Sequence, residues 1–230
     1  MQNIAIILAG GTGSRAGGDL PKQFRVVGGK RLFWYSVEAF HRFDSDCRIL
    51  LVVHPDFLRR WEELFGDEER SLPFPLEKTA GGMSRIRSVR NALKYLDGEE
   101  GRVFIHDAAR PLVTSELIYR GAGAFGPGVG AVPVIPLSDS IRKLERDGSI
   151  AVKREEYVAV QTPQVFLLSE LKAAYDALVN EDGFTDDASV GESYGLKIVT
   201  FPGDPDNIKI TNPSDFQRLS DFNRLYRCNK

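Results

Sequence analysis

The residue types that could manage phosphate chemistry fall into a few tight groups. Directly after an apolar run at residues 4–9 come Gly10, Gly11 and Gly13, then Arg15 and, past a glycine-rich stretch braced by Pro21, Lys22. Glycines let the chain turn sharply and present N–H groups outward, and such a turn after a first strand is a cradle for phosphate. Two cations on the same loop add the charge a polyphosphate calls for. The dinucleotide fingerprint G-x-G-x-x-G fits only if Ala16 replaces a glycine, and Gly17, Gly18 and Pro21 would break the helix it requires. The Walker A pattern is absent, because no Gly-Lys pair is followed by Ser or Thr.

A second group is Asp107-Ala108-Ala109-Arg110-Pro111, which follows an apolar stretch. A carboxylate there can help hold Mg²⁺ or receive a ligand hydroxyl, with Arg110 orienting it or touching an anion. Gly81-Gly82 allow a flat ligand to approach backbone, and Ser88 can hydrogen-bond that ligand or its phosphates. Gln161-Thr162-Pro163-Gln164 sets polar side chains on a loop stiffened by proline. Asp186 and Asp187 suit a helix start, where they complement the dipole. Lys209, flanked by Ile208 and Ile210, faces away from both in a strand, as on a solvated face.

The elements that must position these groups alternate. Strands are expected at 4–9, 48–53, 76–79, 102–106, 130–135, 196–201 and 208–211. Helices are expected at 32–43, 56–65, 84–96, after a cap at Thr114 or Ser115, at 169–178, and from Pro213 to about residue 226. This β-α-β order predicts a Rossmann-like α/β fold, a mostly parallel sheet with helices on both faces. Ligands of such sheets sit beyond the carboxyl ends of the strands. The stretch 138–160 departs from the alternation, with Asp147-Gly148 as a hairpin signal. A lone hairpin is barely stable, so this arm packs either on its own domain or across a second subunit.

Composition narrows the class. The 230 residues are 42% hydrophobic, enough for one large core, and 30 basic against 32 acidic residues give a net charge of −2. No field favours nucleic acid or a membrane surface. Cys47 and Cys228 make no metal or redox spacing and read as free thiols. The first strand begins almost at Met1, leaving no room for a targeting segment, and no apolar run nears the roughly 18–20 residues of a membrane span. A cytoplasmic protein is expected.

Taken in order, LAGGTGSR, PKQ, GGMSRIRSV, HDAARP, SDS at 138–140, QTPQVF, TDDAS and DNIKIT closely resemble the 2-C-methyl-D-erythritol 4-phosphate cytidylyltransferase family. The likeness runs from residue 4 to about 216, with departures at Ala16, Met83 and Ser140 that remove no charged group. It implies a single nucleotidyltransferase domain, 1–230, and a homodimer through the inserted arm. It implies that CTP and a polyol phosphate react with Mg²⁺ or another divalent cation as cofactor. Arg15, Lys22, Arg154 and Lys209 would be catalytic. Ala9, Gly10, Gly11, Gly13, Gly81, Gly82, Ser88, Asp107 and Ala108 would bind the nucleotide. Asp107, Arg110, Arg154, Thr162, Thr185 and Lys209 would bind the acceptor, with Asp107 at the metal. Ribitol 5-phosphate cytidylyltransferases resemble the chain at LAGG, PKQ and QTPQ but carry H-D-A-V-R-P and lack T-D-D-A-S. Molybdenum-cofactor guanylyltransferases share the first loop without NIKIT. A non-catalytic nucleotide-binding module would be signalled by loss of Lys22 or Lys209, and both are present.

Overall fold

A computed structural model describes residues 1–11 and 20–219. Gly13, Arg15, Ala16, the 220–226 part of the last expected helix, and Cys228 lie outside the described residues. The first half of the chain runs β1 (Asn3–Ala9), β2 (Val26–Val27), β3 (Lys30–Arg31), α1 (Leu32–Phe43), β4 (Arg48–Val53), α2 (Pro55–Arg59), α3 (Trp61–Arg70), β5 (Glu77–Ala80), α4 (Arg85–Tyr95) and β6 (Arg102–Asp107). There follow α5 (Ser115–Ala124), β7 (Val129–Pro136), β8 (Arg142–Glu145), β9 (Gly148–Ala151), β10 (Val158–Val160), β11 (Gln164–Leu167), α6 (Leu168–Asp176), α7 (Asp187–Tyr194) and β12 (Lys197–Pro202).

β1 reads as an unbroken apolar run because both its faces are covered. Ile4 and Ile6 pack with Leu50, Val52, Val103 and Ile105 against α4 and α6, whereas Ala5, Ile7 and Ala9 pack with Ile49, Leu51 and Val53 on the side of α1 and α3. Each fully buried Ile or Leu contributes about 1.5–3 kcal/mol, so the centre of the sheet anchors everything its ends carry. β5, β4, β1 and β6 are parallel neighbours in that order. β7 points the same way and pairs in parallel with β12. The expected mostly parallel sheet with helices on both faces is thus the observed one.

Several local expectations need correction. The segment 161–166 is not wholly a loop: β11 lies antiparallel between β6 and β7, with Gln161, Thr162 and Gln164 buried. Its polar side chains are satisfied by specific partners, which composition does not reveal. Residues 208–211 are not a strand. Ile210 N–H reaches Ala109 O at 2.8 Å, but no ladder forms. The helix expected over 56–65 is two helices broken at Arg60, which turns Trp61 inward against Phe33 and Phe65. The β2–β3 hairpin is too short to show in periodicity. β8 and β9 do form the expected hairpin, with Leu144 at 82% and Ile150 at 45% exposure. Thr114, not Ser115, caps α5, accepting from Leu117 N–H.

Candidate active site

The carboxyl ends of β1, β5 and β6 converge with the turn between β10 and β11 and with residues 207–211. At the first of these, the Gln23 side-chain amide donates to Ala9 O at 2.7 Å and to Gly11 O at 2.5 Å, fixing the described part of the glycine turn from beneath. The same 3-10 turn, Lys22–Phe24, carries Lys22, whose Nζ donates to Ile210 O at 2.7 Å. The first loop and the segment bearing Lys209 are therefore joined through Lys22.

The glycine turns meet closely. A Cβ on Gly10 would lie 3.7 Å from Gly81 Cα, and one on Gly82 would lie 2.4 Å from Arg87 Cβ. No larger residue fits Gly82 without moving the start of α4. Ser88 sits between the turns, accepting from Gly82 N–H at 3.0 Å and donating to Ser84 O at 2.9 Å. Its hydroxyl shapes the turn. Ser84 in turn caps α4 by accepting from Arg87 N–H.

Asp107 ends β6 and is the electrostatic centre. Its Oδ2 meets Lys209 Nζ at 2.7 Å and its Oδ1 meets Arg85 Nε at 3.4 Å. Burial by itself would raise this carboxyl, but the Arg85 and Lys209 charges override that and hold it well below the usual carboxylate range. Its backbone N–H donates to Thr162 Oγ1 at 3.1 Å, and that hydroxyl lies 3.0 Å from His106 Nδ1. Arg110 O can only accept, so the neutral ring carries its hydrogen on Nε2, donates it to that carbonyl at 3.2 Å, and takes the Thr162 hydroxyl hydrogen at Nδ1. His106 is fully buried, and burial pushes its pKa down to about 4. It is a neutral strut.

The structure brings Lys22, Asp107, Thr162 and Lys209, with Ala9, Gly10, Gly11, Gly81, Gly82, Ser88 and Ala108, to one end of the sheet. Ala108 is buried, with its N–H on Leu8 O at 3.1 Å. Arg110 is near but occupied: it donates to Asn207 O at 2.7 Å and Val160 O at 3.3 Å, clamping the loops on either side. Thr185 is exposed, two residues before the first turn of α7. Arg154 stands on the arm's return, bonded to Ser138 O at 2.5 Å and to Glu155, and not to the Asp107 cluster.

Four contributors, Arg85, Asp187, Gln164 and Asn207, fall outside the expected set of site residues. Arg85 ties Asp107 to Asp187, and Asp187 is fully buried on Tyr175. Gln164 holds Asp186 Oδ2 at 2.8 Å and Ala188 N–H at 2.9 Å, seating the start of α7. Asn207 donates to Thr162 O at 2.9 Å. A cation at the first position of a helix, where the dipole disfavours it, is the sequence signal that could have found Arg85. Among the described residues no three His, Cys, Asp or Glu side chains converge as a metal cage would. Asp107 is a single carboxylate with a cation on each oxygen, so a divalent ion would reach it only in place of Lys209 and would take most of its ligands from phosphates.

The family model described as IspD, 2-C-methyl-D-erythritol 4-phosphate cytidylyltransferase, matches residues 3–222. The 2-C-methyl-D-erythritol 4-phosphate cytidylyltransferase of Phocaeicola vulgatus is 41% identical over 217 residues, covering 94% of this chain and 97% of the relative. That of Bacteroides fragilis is 41% identical over 220 residues, covering 96% and 99%. Among solved structures, 4-diphosphocytidyl-2C-methyl-D-erythritol synthase from Anaerococcus prevotii superposes with a TM-score of 0.81 at 24% identity, covering 96% of this chain and 98% of that one. The cytidylyltransferase from Thermus thermophilus gives a TM-score of 0.71 at 27% identity, covering 97% and 100%.

Proposed function

The chain belongs to the 2-C-methyl-D-erythritol 4-phosphate cytidylyltransferase family, and from that premise we propose how its residues carry the reaction. The enzyme joins CTP and 2-C-methyl-D-erythritol 4-phosphate into 4-diphosphocytidyl-2-C-methyl-D-erythritol and pyrophosphate. An oxygen of the acceptor phosphate attacks the α-phosphorus in line. The bond from that phosphorus to the bridging oxygen breaks, and its electron pair leaves on pyrophosphate.

The observation that supports this assignment is the meeting of Lys22, Lys209 and Asp107 beside two glycine turns at the carboxyl end of the sheet. The nucleophile is already an anion, so no general base is needed, in keeping with a neutral His106 committed to Thr162 and Arg110 O. The task is to bring two polyanions together and to stabilise added equatorial charge. Lys22, with Arg15 by the family likeness, faces the α-phosphate. Lys209, and Arg154 from the arm, take the acceptor phosphate, with Asp107, Arg110, Thr162 and Thr185 around the acceptor. Gly81, Gly82 and Ser88 form the wall for the nucleoside. A divalent cation such as Mg²⁺, held by Asp107 and the phosphates, supplies charge neutralisation when bound.

We read residues 1–230 as one catalytic unit and 138–160 as a dimerisation arm. Exposed Leu144, Ile150, Tyr157 and Val158 support that reading. No described helix is long and apolar enough to cross a membrane, and a buried free Cys47 suits the reducing cytoplasm. Pyrophosphate release with CTP and Mg²⁺, offering 2-C-methyl-D-erythritol 4-phosphate and ribitol 5-phosphate in parallel, tests the assignment. Release with the first alone is expected; release with ribitol 5-phosphate alone would move the substrate and keep the mechanism.

A further inference from the structure

Five side chains form one unbroken row from the core to the mouth of the site. The Tyr175 hydroxyl on α6 donates to Asp187 Oδ1 at 2.6 Å, and Asp187 Oδ2 meets Arg85 Nη2 at 2.6 Å. Arg85 Nε reaches Asp107 Oδ1 at 3.4 Å, and Asp107 Oδ2 meets Lys209 at 2.7 Å. Side-chain exposure is 0% at Asp187, 25% at Arg85, 12% at Asp107 and 45% at Lys209, so both carboxylates are more buried than the cations they hold. The charges alternate, so the row is neutral.

Resting on the roles proposed for Lys209 and Asp107, we propose that Arg85 is a positioning residue for the acceptor side. Anchored by Asp187, it holds the Asp107 carboxylate in place when Lys209 turns to the acceptor phosphate. Three observations support this. First, an arginine at the first position of α4 opposes the helix dipole, so α4 itself gains nothing from its charge. Second, Arg85 Nη1 is buried with no hydrogen-bond partner among the described residues, a cost that a purely structural bridge does not require. Third, each Asp107 oxygen has one cation. Once Lys209 leaves, Arg85 is the side-chain cation among the described residues still bonded to this nearly buried carboxylate, and it keeps the carboxylate oriented for the ligand or ion that takes the vacated oxygen. The same guanidinium links the helix that follows Gly81-Gly82 to α7, two residues beyond Thr185. The nucleotide wall and the acceptor loop therefore share one tie.

The test is steady-state kinetics with CTP, 2-C-methyl-D-erythritol 4-phosphate and Mg²⁺, together with melting temperatures, for wild type, Arg85→Lys, Tyr175→Phe and Lys209→Ala. Arg85→Lys keeps the charge but lacks the planar fork that reaches two carboxylates at once. Its kcat should fall about tenfold or more and its acceptor KM rise, with the CTP KM within about threefold of wild type. Tyr175→Phe removes a contact at the far end of the row. It should lower the melting temperature and leave kcat near wild type. Should Arg85→Lys fold poorly, Arg85→Gln combined with Asp187→Asn removes both charges of the buried pair and should show the same kinetic pattern. The proposal is overturned if either Arg85 variant keeps wild-type kcat and acceptor KM while Lys209→Ala loses acceptor use. It is equally overturned if Tyr175→Phe loses as much kcat as Arg85→Lys. A wild-type-like Lys209→Ala would instead sink the underlying reading of the site.

Discussion

Thr162→Val alters chemistry at a single buried point while preserving shape. Thr162 is 5% exposed, and its hydroxyl serves two partners at once, accepting from Asp107 N–H at 3.1 Å and standing 3.0 Å from His106 Nδ1. Valine removes both bonds and leaves a buried N–H and a buried ring nitrogen without partners. Each orphaned group costs about 1–3 kcal/mol, and some relaxation of the imidazole brings the sum to about 3 kcal/mol. For a chain of this size each kcal/mol moves the melting temperature by about 2–4 °C, giving a drop of about 6–12 °C. Thr162→Ser retains the hydroxyl and loses one buried methyl, about 1 kcal/mol. Thermal melts and urea unfolding of the three proteins at neutral pH provide the measurement. Valine must fall well below serine. If the two variants melt together, the hydroxyl does not brace Asp107 and the bonding order from Asp107 through Thr162 to His106 is wrong.

Lys22→Ala should lower kcat by about 10²–10³ with little change in CTP binding, and Lys209→Ala should chiefly raise the acceptor KM; calorimetry and pyrophosphate release separate the two effects. Because Lys209 is 45% exposed and Asp107 keeps Arg85, Lys209→Ala should shift stability by less than about 1 kcal/mol. His106 has its pKa lowered from 6.5 to about 4, so its contribution is complete above pH 6.5 and is lost as pH falls from 6.5 toward 4. Urea unfolding across that window should show a decline of up to about 3 kcal/mol, and His106→Gln should abolish that slope. Sedimentation should give a dimer, and Leu144→Glu with Ile150→Lys should shift it to monomer; a wild-type monomer would remove the arm's assigned role.

How much of this was legible in the sequence follows from where each signal resides. β1, β4 and α1 were read to the residue or nearly so, because burial on one or both faces leaves a periodic apolar imprint. Asp107 was placed at a strand end by the same logic. β11 was missed because its information is not periodic: Gln164 and Thr162 are buried polar groups, tolerated through bonds to Asp186, Ala188, Asp107 and His106, residues distant in sequence. Lys209 was expected on a strand from its flanking isoleucines. Instead Ile208 and Ile210 pack with Val27, Leu32 and Leu112 in a separate small cluster without a sheet ladder. Alternation reports which side is buried, and the hydrogen-bond partner lies outside that pattern.

The resting partner of Lys209 also bears on selectivity. Lys209 rests on a carboxylate, Asp107, at 2.7 Å. Moving Lys209 breaks a charge-assisted contact, so the incoming group must carry at least comparable negative charge to win the exchange. With Lys209 as the acceptor-phosphate ligand, the unphosphorylated polyol lacks that charge and leaves Lys209 on Asp107. Titrating the enzyme with 2-C-methyl-D-erythritol and its 4-phosphate, with CTP present, should show binding of the phosphate alone. In Asp107→Asn, where Lys209 is held by a neutral amide, release is easier, and this discrimination should narrow. Equal discrimination in both proteins would show that the Asp107 contact plays no part in choosing the acceptor.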